Sequence, residues 1–219
     1  MHTSGRGPVS KGTVSGDAAL RRLHGYYRWH AHFYDATRWT FLFGRTALIR
    51  LAAERLRPRR ILEVGCGTGR NLTELARFFP EAEIVGLDLS AEMVRKARKK
   101  IERYGPRVSL LQRVYDGPVS GGDPFDLIIF SYCLSMINPG YADVLKLCDR
   151  DLATQGHLAL VDFHDTSFGW FRRWMGLNHV RMDGQVLAAL QSAGLNLQPC
   201  LVKSAYGGLW RWFACLAGR

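Results

Sequence analysis

Glu63, the glycines at 65, 67 and 69, Asn71 and Asp88 are the residues of this 219-residue chain whose types and spacing point to chemistry. Most of them lie in Ile61-Leu62-Glu63-Val64-Gly65-Cys66-Gly67-Thr68-Gly69-Arg70-Asn71. An apolar run breaks into glycine at every second position, and a helical pattern then continues through Leu75 to Phe78. A glycine-rich strand-to-helix turn brings backbone close to a ligand and leaves helix N-terminal amides facing it. The spacing Glu-x-Gly-x-Gly-x-Gly differs from the Gly-x-Gly-x-x-Gly of dinucleotide sites, and the Gly-Lys-Ser/Thr of a phosphate loop is absent. Ile84-Val85-Gly86-Leu87-Asp88-Leu89-Ser90 is a second apolar run that ends in a carboxylate. An acid about twenty residues past the turn is placed to accept the two hydroxyls of a ribose. The two stretches together predict a site for a nucleotide-type ligand.

A sheet is needed to hold these residues together. Strands are expected over residues 61–64, 84–89, 108–114, 125–130 and 157–163, followed by 195–202 and 209–216. Residues 125–130 form the continuous apolar run of a strand buried on both faces, which argues for a parallel α/β sheet. Between the strands, helices are expected over 71–78, over 91–104 with Ser90 as N-cap, and over 143–152. Open α/β sheets bind ligands beyond the carboxyl ends of their strands. That rule puts Ser131, Tyr132 and Cys133, with Asp162, Phe163, His164 and Asp165, at the rim of the site. The stretch from Phe168 to His179 is aromatic, basic and punctuated by glycine, and reads as a mobile insertion.

The formal charge is +11. Through Arg60 there are twelve Lys/Arg against three Asp/Glu, so most of the excess lies ahead of the first strand. Such a patch implies an anionic partner, nucleic acid or a phosphate-rich membrane face, with a solvated basic surface as the plain alternative. Five cysteines are scattered without metal-ligand spacing, so no metal site or disulfide framework is expected and a reducing cytosol fits. Residues 1–17 read as a disordered tail with no apolar core of a signal peptide. No apolar run is long enough to span a bilayer, so any membrane contact is expected to be peripheral.

Residues 18–57 are helical in pattern and crowded with aromatic residues. Tyr26, His30 and Tyr34 recur every four residues and so share one helix face. Aromatic and cationic side chains interleave here, a pairing suited to a headgroup layer and also to nucleic acid. This segment is read as a lid or membrane-facing unit ahead of a ligand-binding domain over 58–219.

The glycine turn resembles motif I of the Rossmann-like S-adenosylmethionine (SAM) methyltransferases, and Asp88 matches the ribose-binding acid that follows it. Tyr27-Arg28-Trp29-His30-Ala31-His32-Phe33-Tyr34-Asp35-Ala36-Thr37-Arg38-Trp39 with Phe41-Leu42-Phe43-Gly44-Arg45 is similar to the N-terminal signature of the betaine-lipid (diacylglycerylhomoserine) N-methyltransferases. That group is close to the bacterial phosphatidylethanolamine N-methyltransferases. The resemblance implies a Rossmann-like seven-stranded, mostly parallel sheet with its last strand antiparallel, and SAM as donor with S-adenosylhomocysteine as product.

For the donor, the resemblance implies contacts from Glu63, Gly65, Cys66, Gly67, Gly69, Asn71, Asp88, Leu89, Met93 and Ser131, with Tyr34 and Arg45 from the N-terminal segment. Val114 and Tyr115 stand where relatives hold the adenine, with Asp116 beyond them. Tyr132, Asp162, His164, His30 and His179 are candidates to take a proton from, or orient, an amine acceptor. Tyr26, Trp170 and Trp174 are candidate substrate contacts, since aromatic faces stabilise a quaternary ammonium product. The expected acceptor is a lipid headgroup amine, met at the inner face of the cell membrane. The alternatives are a soluble amine methyltransferase, a protein that binds SAM without catalysis, or a nucleic-acid protein. Ser-Tyr-Cys-Leu after the fourth strand lacks the tetrapeptides of base methyltransferases, so nucleic acid is not expected as a partner.

Overall fold

The computed structural model describes residues 42–119, 121–137, 140–178, 180–192 and 195–218. The predicted residues Tyr26, His30, Tyr34 and His179, and most of the proposed lid, lie outside them. Helix α1 (Arg45–Arg55) leads into strand β1 (Arg60–Val64), helix α2 (Arg70–Phe78), β2 (Glu83–Asp88) and α3 (Ala91–Ile101). Then follow β3 (Val108–Gln112), β4 (Phe125–Ser131), α4 (Tyr141–Asp151) and β5 (Leu152–Phe163). Helices α5 (Gly169–Leu177) and α6 (Gln185–Ser192) precede β6 (Asn196–Ala205) and β7 (Trp210–Gly218).

The seven strands run in the order β3-β2-β1-β4-β5-β7-β6. The pairs β1–β2, β1–β4, β2–β3 and β4–β5 are parallel. Strand β7 enters antiparallel between β5 and β6, as the resemblance implies for the last strand. From β1 the chain builds outward to β2 and β3 on one side, and returns to lay β4 and β5 on the other. The crevice at that reversal, above the carboxyl ends of β1 and β4, is where open sheets take ligands. It opens between Gly65 and Ser131, the residues that leave those two strands.

Burial on both faces explains the unbroken apolar strands. On one face Ile61, Leu127, Ile129, Ala159 and Val161 pack with Leu48, Ile49 and Ala52 of α1, Leu72 and Leu75 of α2, and Phe171 and Met175 of α5. On the other, Leu62, Ile128, Phe130, Leu158 and Leu160 meet Val144 and Cys148 of α4 and Val186, Leu187 and Leu190 of α6. Helix α3 begins at Ser90, whose hydroxyl accepts the Met93 amide as an N-cap.

Three expectations are corrected. The stretch after β5 is not a loose insertion: residues 169–177 form a regular helix, and Phe171 and Met175 are anchored in the core. The third strand ends at Gln112 rather than 114, and the helix expected to reach 104 turns into a 3-10 segment, Glu102–Arg107, after Ile101. Gly105 and Pro106 break it there, and Arg107 ties the segment back to the carbonyls of Ala76, Phe79 and Ala82.

Candidate active site

The glycine turn is shaped by its contacts. The amides of Gly65 and Cys66 both donate to the Leu87 carbonyl, at 2.8 and 3.0 Å, locking the turn to the end of β2. Gly65 adopts φ +73°, and a Cβ there would stand 2.7 Å from the Cys133 sulfur of the β4 loop. Gly69 caps α2 at φ +75°, and a Cβ there would stand 2.9 Å from that of Ala97 on α3. Only glycine tolerates both the left-handed backbone and the close approach. The turn therefore presents bare backbone beside the crevice.

Asp88 completes this lip. One oxygen accepts the Gly67 amide at 2.8 Å and the other the Ser90 amide at 2.9 Å. Its carboxylate is half-buried and held by backbone on both sides, the arrangement that keeps an acceptor in place for hydroxyl donors. Leu89 follows it, half-buried, and Met93 is buried one helical turn on.

Glu63 points from β1 into the layer of α1 and α2 and is 1% exposed. Asn71 donates to its Oε1 at 2.8 Å, while Oε2 is buried with no hydrogen-bond partner. The Ser131 hydroxyl, at the end of the neighbouring β4, is also buried and unpartnered. Burial pushes the Glu63 carboxyl up to about 8, against the opposing effects of the Asn71 hydrogen bond and the charge of Arg45. Burial likewise lowers the Arg45 guanidinium, helped by the nearby charge of Arg70. A buried acid with one free oxygen, beside a glycine cradle and a strand-end carboxylate, is suited to an ammonium and a ribose on one ligand. The residues present thus fit SAM: Glu63, Asn71 and Ser131 would meet its amino-acid end, the turn its backbone-facing side, and Asp88 its ribose.

This burial has a measurable consequence. The folded chain keeps the Glu63 proton to about pH 8, whereas the unfolded chain releases it near the ordinary value of 4.5. The folded state binds more protons across that window, so ligand-free stability falls as pH rises through it. Asp162, pushed by burial from 3.8 to about 6, adds to the fall at its acidic end. Glu63→Gln is expected to flatten the slope between those limits and to melt above the wild type at the alkaline end. Thermal melts across pH, without ligand, check this.

Asp162 is fully buried: its Oδ2 accepts the Ser135 amide at 3.0 Å and its Oδ1 the Phe163 amide at 2.8 Å. It fixes the turn after β4 rather than reaching the crevice as a free base. Tyr132 sits at φ +54° with its ring 4.7 Å from that of Phe163, and its hydroxyl donates to the Phe43 carbonyl at 2.8 Å. Burial raises its hydroxyl well above the ordinary range. As placed, Tyr132 is a tie between β4 and the segment entering α1, not a proton acceptor.

His164 faces the opposite layer, against Phe213 and Gly184, with Nε2 3.9 Å from the Asp165 carboxylate. Cys66 is buried in the turn, and burial raises its thiol too. Tyr115 departs from its expected place at the adenine: its ring is buried in the second core layer and its hydroxyl donates to Asp151 at 2.8 Å. Val114 beside it is half-buried, and Asp116 is exposed and paired with Arg113. Trp170 lies on the outer surface of α5, where its ring meets Phe171, and Trp174 stacks on the same phenylalanine.

Two contributors were not evident beforehand: the Phe43 carbonyl holds Tyr132, and the Ser135 amide holds Asp162. Cys133, expected at the rim, stands with its sulfur close against Gly65. Backbone groups carry no side-chain signal, and Cys133 acts through shape alone.

Residues 61–156 match a family model described as a methyltransferase domain. The malonyl-[acyl-carrier protein] O-methyltransferase of Legionella pneumophila is 53% identical over 59 residues, 27% of this chain and 19% of that protein. The trans-aconitate 2-methyltransferase of Rhodopseudomonas palustris is 39% identical over 107 residues, 48% of this chain and 39% of that protein. The matched regions thus span well under half of these relatives' length. Among solved structures, the N-methyltransferase NodS of Bradyrhizobium japonicum with S-adenosylhomocysteine overlays with a TM-score of 0.71 at 19% identity, covering 90% of this chain and 97% of that one. The 1,6-didemethyltoxoflavin-N1-methyltransferase of Burkholderia thailandensis, also holding S-adenosylhomocysteine, gives 0.67 at 16% identity, covering 97% and 93%. The chain has the fold of these two S-adenosylhomocysteine-bound methyltransferases, and its residues 61–156 match the model of a methyltransferase domain.

Proposed function

We propose that this chain is a SAM-dependent N-methyltransferase whose acceptor is the amine of a membrane-lipid headgroup, diacylglycerylhomoserine first and phosphatidylethanolamine second. SAM, when bound, supplies a methyl on a sulfonium, which an acceptor displaces in line. The protein's part in such a reaction is mostly alignment. Glu63, Asn71, Asp88 and the glycine turn would hold the donor, while Tyr132 and the Phe43 segment would shape the acceptor side.

The observation that carries the amine reading is the N-terminal sequence over residues 27–39 and 41–45, which resembles that of lipid-amine N-methyltransferases. A quaternary ammonium product is favoured by aromatic faces, and Phe43 and Tyr206 are partly exposed aromatic residues next to the segment that enters α1. The lipid part of the reading rests on the same resemblance.

A carboxylate acceptor, the type named for the malonyl-[acyl-carrier protein] and trans-aconitate enzymes, is the second reading; Arg45, a cation near Glu63 and Tyr132, favours it. Incubation with methyl-labelled SAM and total lipid, then mild base, separates the two. The amine reading expects label in lipid that survives base, with headgroup masses raised in steps of one methyl. Label released as methanol, or label found only in small acids or carrier protein, would replace it with the ester reading.

A further inference from the structure

Helix α5 exposes a second apolar stripe beside the one it buries. Phe171 and Met175 go inward, while Trp170, Trp174 and Leu177, at i, i+4 and i+7, are 65%, 46% and 74% exposed. Phe168, before the helix, is 45% exposed, and Arg173 is exposed within the stripe. Large aromatic side chains this exposed at helical spacing mark an interaction face rather than ordinary surface.

This face is joined to the mouth of the site by ring contacts. Trp174 stacks on Phe171 at 5.6 Å, Phe171 on the buried Trp210 at 5.5 Å, and Trp210 lies 4.9 Å from Tyr206. Phe43 meets Tyr206 at 5.6 Å, and its carbonyl holds Tyr132. Tyr206 and Phe43 are themselves partly exposed, so this chain of rings, buried in the middle at Phe171 and Trp210, links two exposed aromatic ends.

Charge selects the occupant. From Thr166 to Met182 there is no Asp or Glu, while Arg172, Arg173 and Arg181 are present. A second copy of the chain would bring the same cations face to face. Residues 1–41 carry six Lys/Arg and two Asp, so they too would meet like charge here. Anionic headgroups would neutralise both segments together, and tryptophan with arginine is the pairing that settles at the headgroup boundary.

We infer that the Trp170, Arg173, Trp174 and Leu177 face of α5 docks the protein on an anionic lipid bilayer, holding the mouth against the surface. The inference deepens the lipid-acceptor reading and rests on it for the purpose of the docking.

The test is flotation of the full chain with phosphatidylcholine vesicles, with and without phosphatidylglycerol. The variants are Trp170→Ser/Trp174→Ser/Leu177→Ser and, separately, Arg173→Glu. The wild type is expected to float with anionic vesicles, less so as salt rises, with a blue-shifted tryptophan emission. The triple variant is expected to lose tenfold or more in apparent affinity while its melting temperature and S-adenosylhomocysteine affinity hold; Arg173→Glu should lose several-fold. Flotation equal to the wild type, in the triple variant or in Arg173→Glu should the former misfold, overturns the docking face. So does a wild type that stays with the soluble fraction, or a stripe whose loss instead dissociates a dimer in sedimentation. Failure of the acceptor reading looks different: vesicle binding still depends on α5, but no lipid amine in the extract is methylated.

Discussion

Asp88→Ala is expected to weaken S-adenosylhomocysteine binding about 100-fold or more, with little change in melting temperature. Each hydrogen bond to an ionised partner contributes roughly 1.5–3 kcal/mol, and the lost carboxylate would serve two ribose hydroxyls. The same oxygens now hold the Gly67 and Ser90 amides at 2.8 and 2.9 Å, so the turn also loses one of its ties to the end of β2, the two amides on the Leu87 carbonyl remaining. Stability changes little because the side chain is half-exposed and those amides can turn to water. Asp88→Asn keeps the shape and one acceptor but not the charge, and a loss of about tenfold is expected. Titration calorimetry on both variants checks the order wild type, Asn, Ala. Equal affinities in all three would remove Asp88 from the site.

The second large effect is on the fold. Gly69→Val should cost about 3 kcal/mol or more and lower the melting temperature by roughly 6–12 °C. Two causes add. A β-branched residue is strained at φ +75°, and its Cβ would press on the Ala97 Cβ at 2.9 Å and Cα at 3.0 Å. Ala97 lies inside α3, so backbone rather than a flexible side chain would have to move. Gly67→Ala is the control: its φ is +54° but nothing stands within 4 Å of the added carbon, so only the conformational cost remains. Thermal melts of the two variants should differ by several degrees, with Gly69→Val the lower. A Gly69→Val that melts with Gly67→Ala would mean that α2 and α3 can separate freely.

What sequence revealed and what it hid divide along physical lines. The turn from Glu63 to Asn71 and the acid at 88 were legible because strand, glycine and helix cap follow one another locally, and each leaves its own residue signature. The strands could be placed from apolar runs of strand length separated by helical patterns, while the antiparallel end of the sheet was implied by the resemblance alone. Tyr115 was misplaced because its partner, Asp151, is 36 residues away. Nothing near position 115 tells whether that ring turns toward the crevice or into the core.

The helix from Gly169 to Leu177 was missed for the opposite reason. Its glycines read as loop punctuation, yet neither needs a left-handed backbone, and Phe171 and Met175, four apart, anchor it in the core. Tyr132, Asp162 and His164 were grouped as rim residues by strand position alone. Side-chain direction then separates them: Tyr132 packs with Phe163 in one layer, Asp162 is closed off by amides, and His164 turns to Phe213 in the other.

The central claim is that the crevice from Glu63 through Asn71, with Asp88, is a donor site. Equilibrium dialysis of the full chain against labelled S-adenosylhomocysteine, at several pH values, tests it most directly. The account predicts saturable one-to-one binding that tightens as pH rises toward the Glu63 value of about 8, because a ligand ammonium favours the ionised acid. The pH dependence should vanish in Glu63→Gln. Absence of saturable binding across that range, or binding that Asp88→Ala leaves untouched, would contradict it.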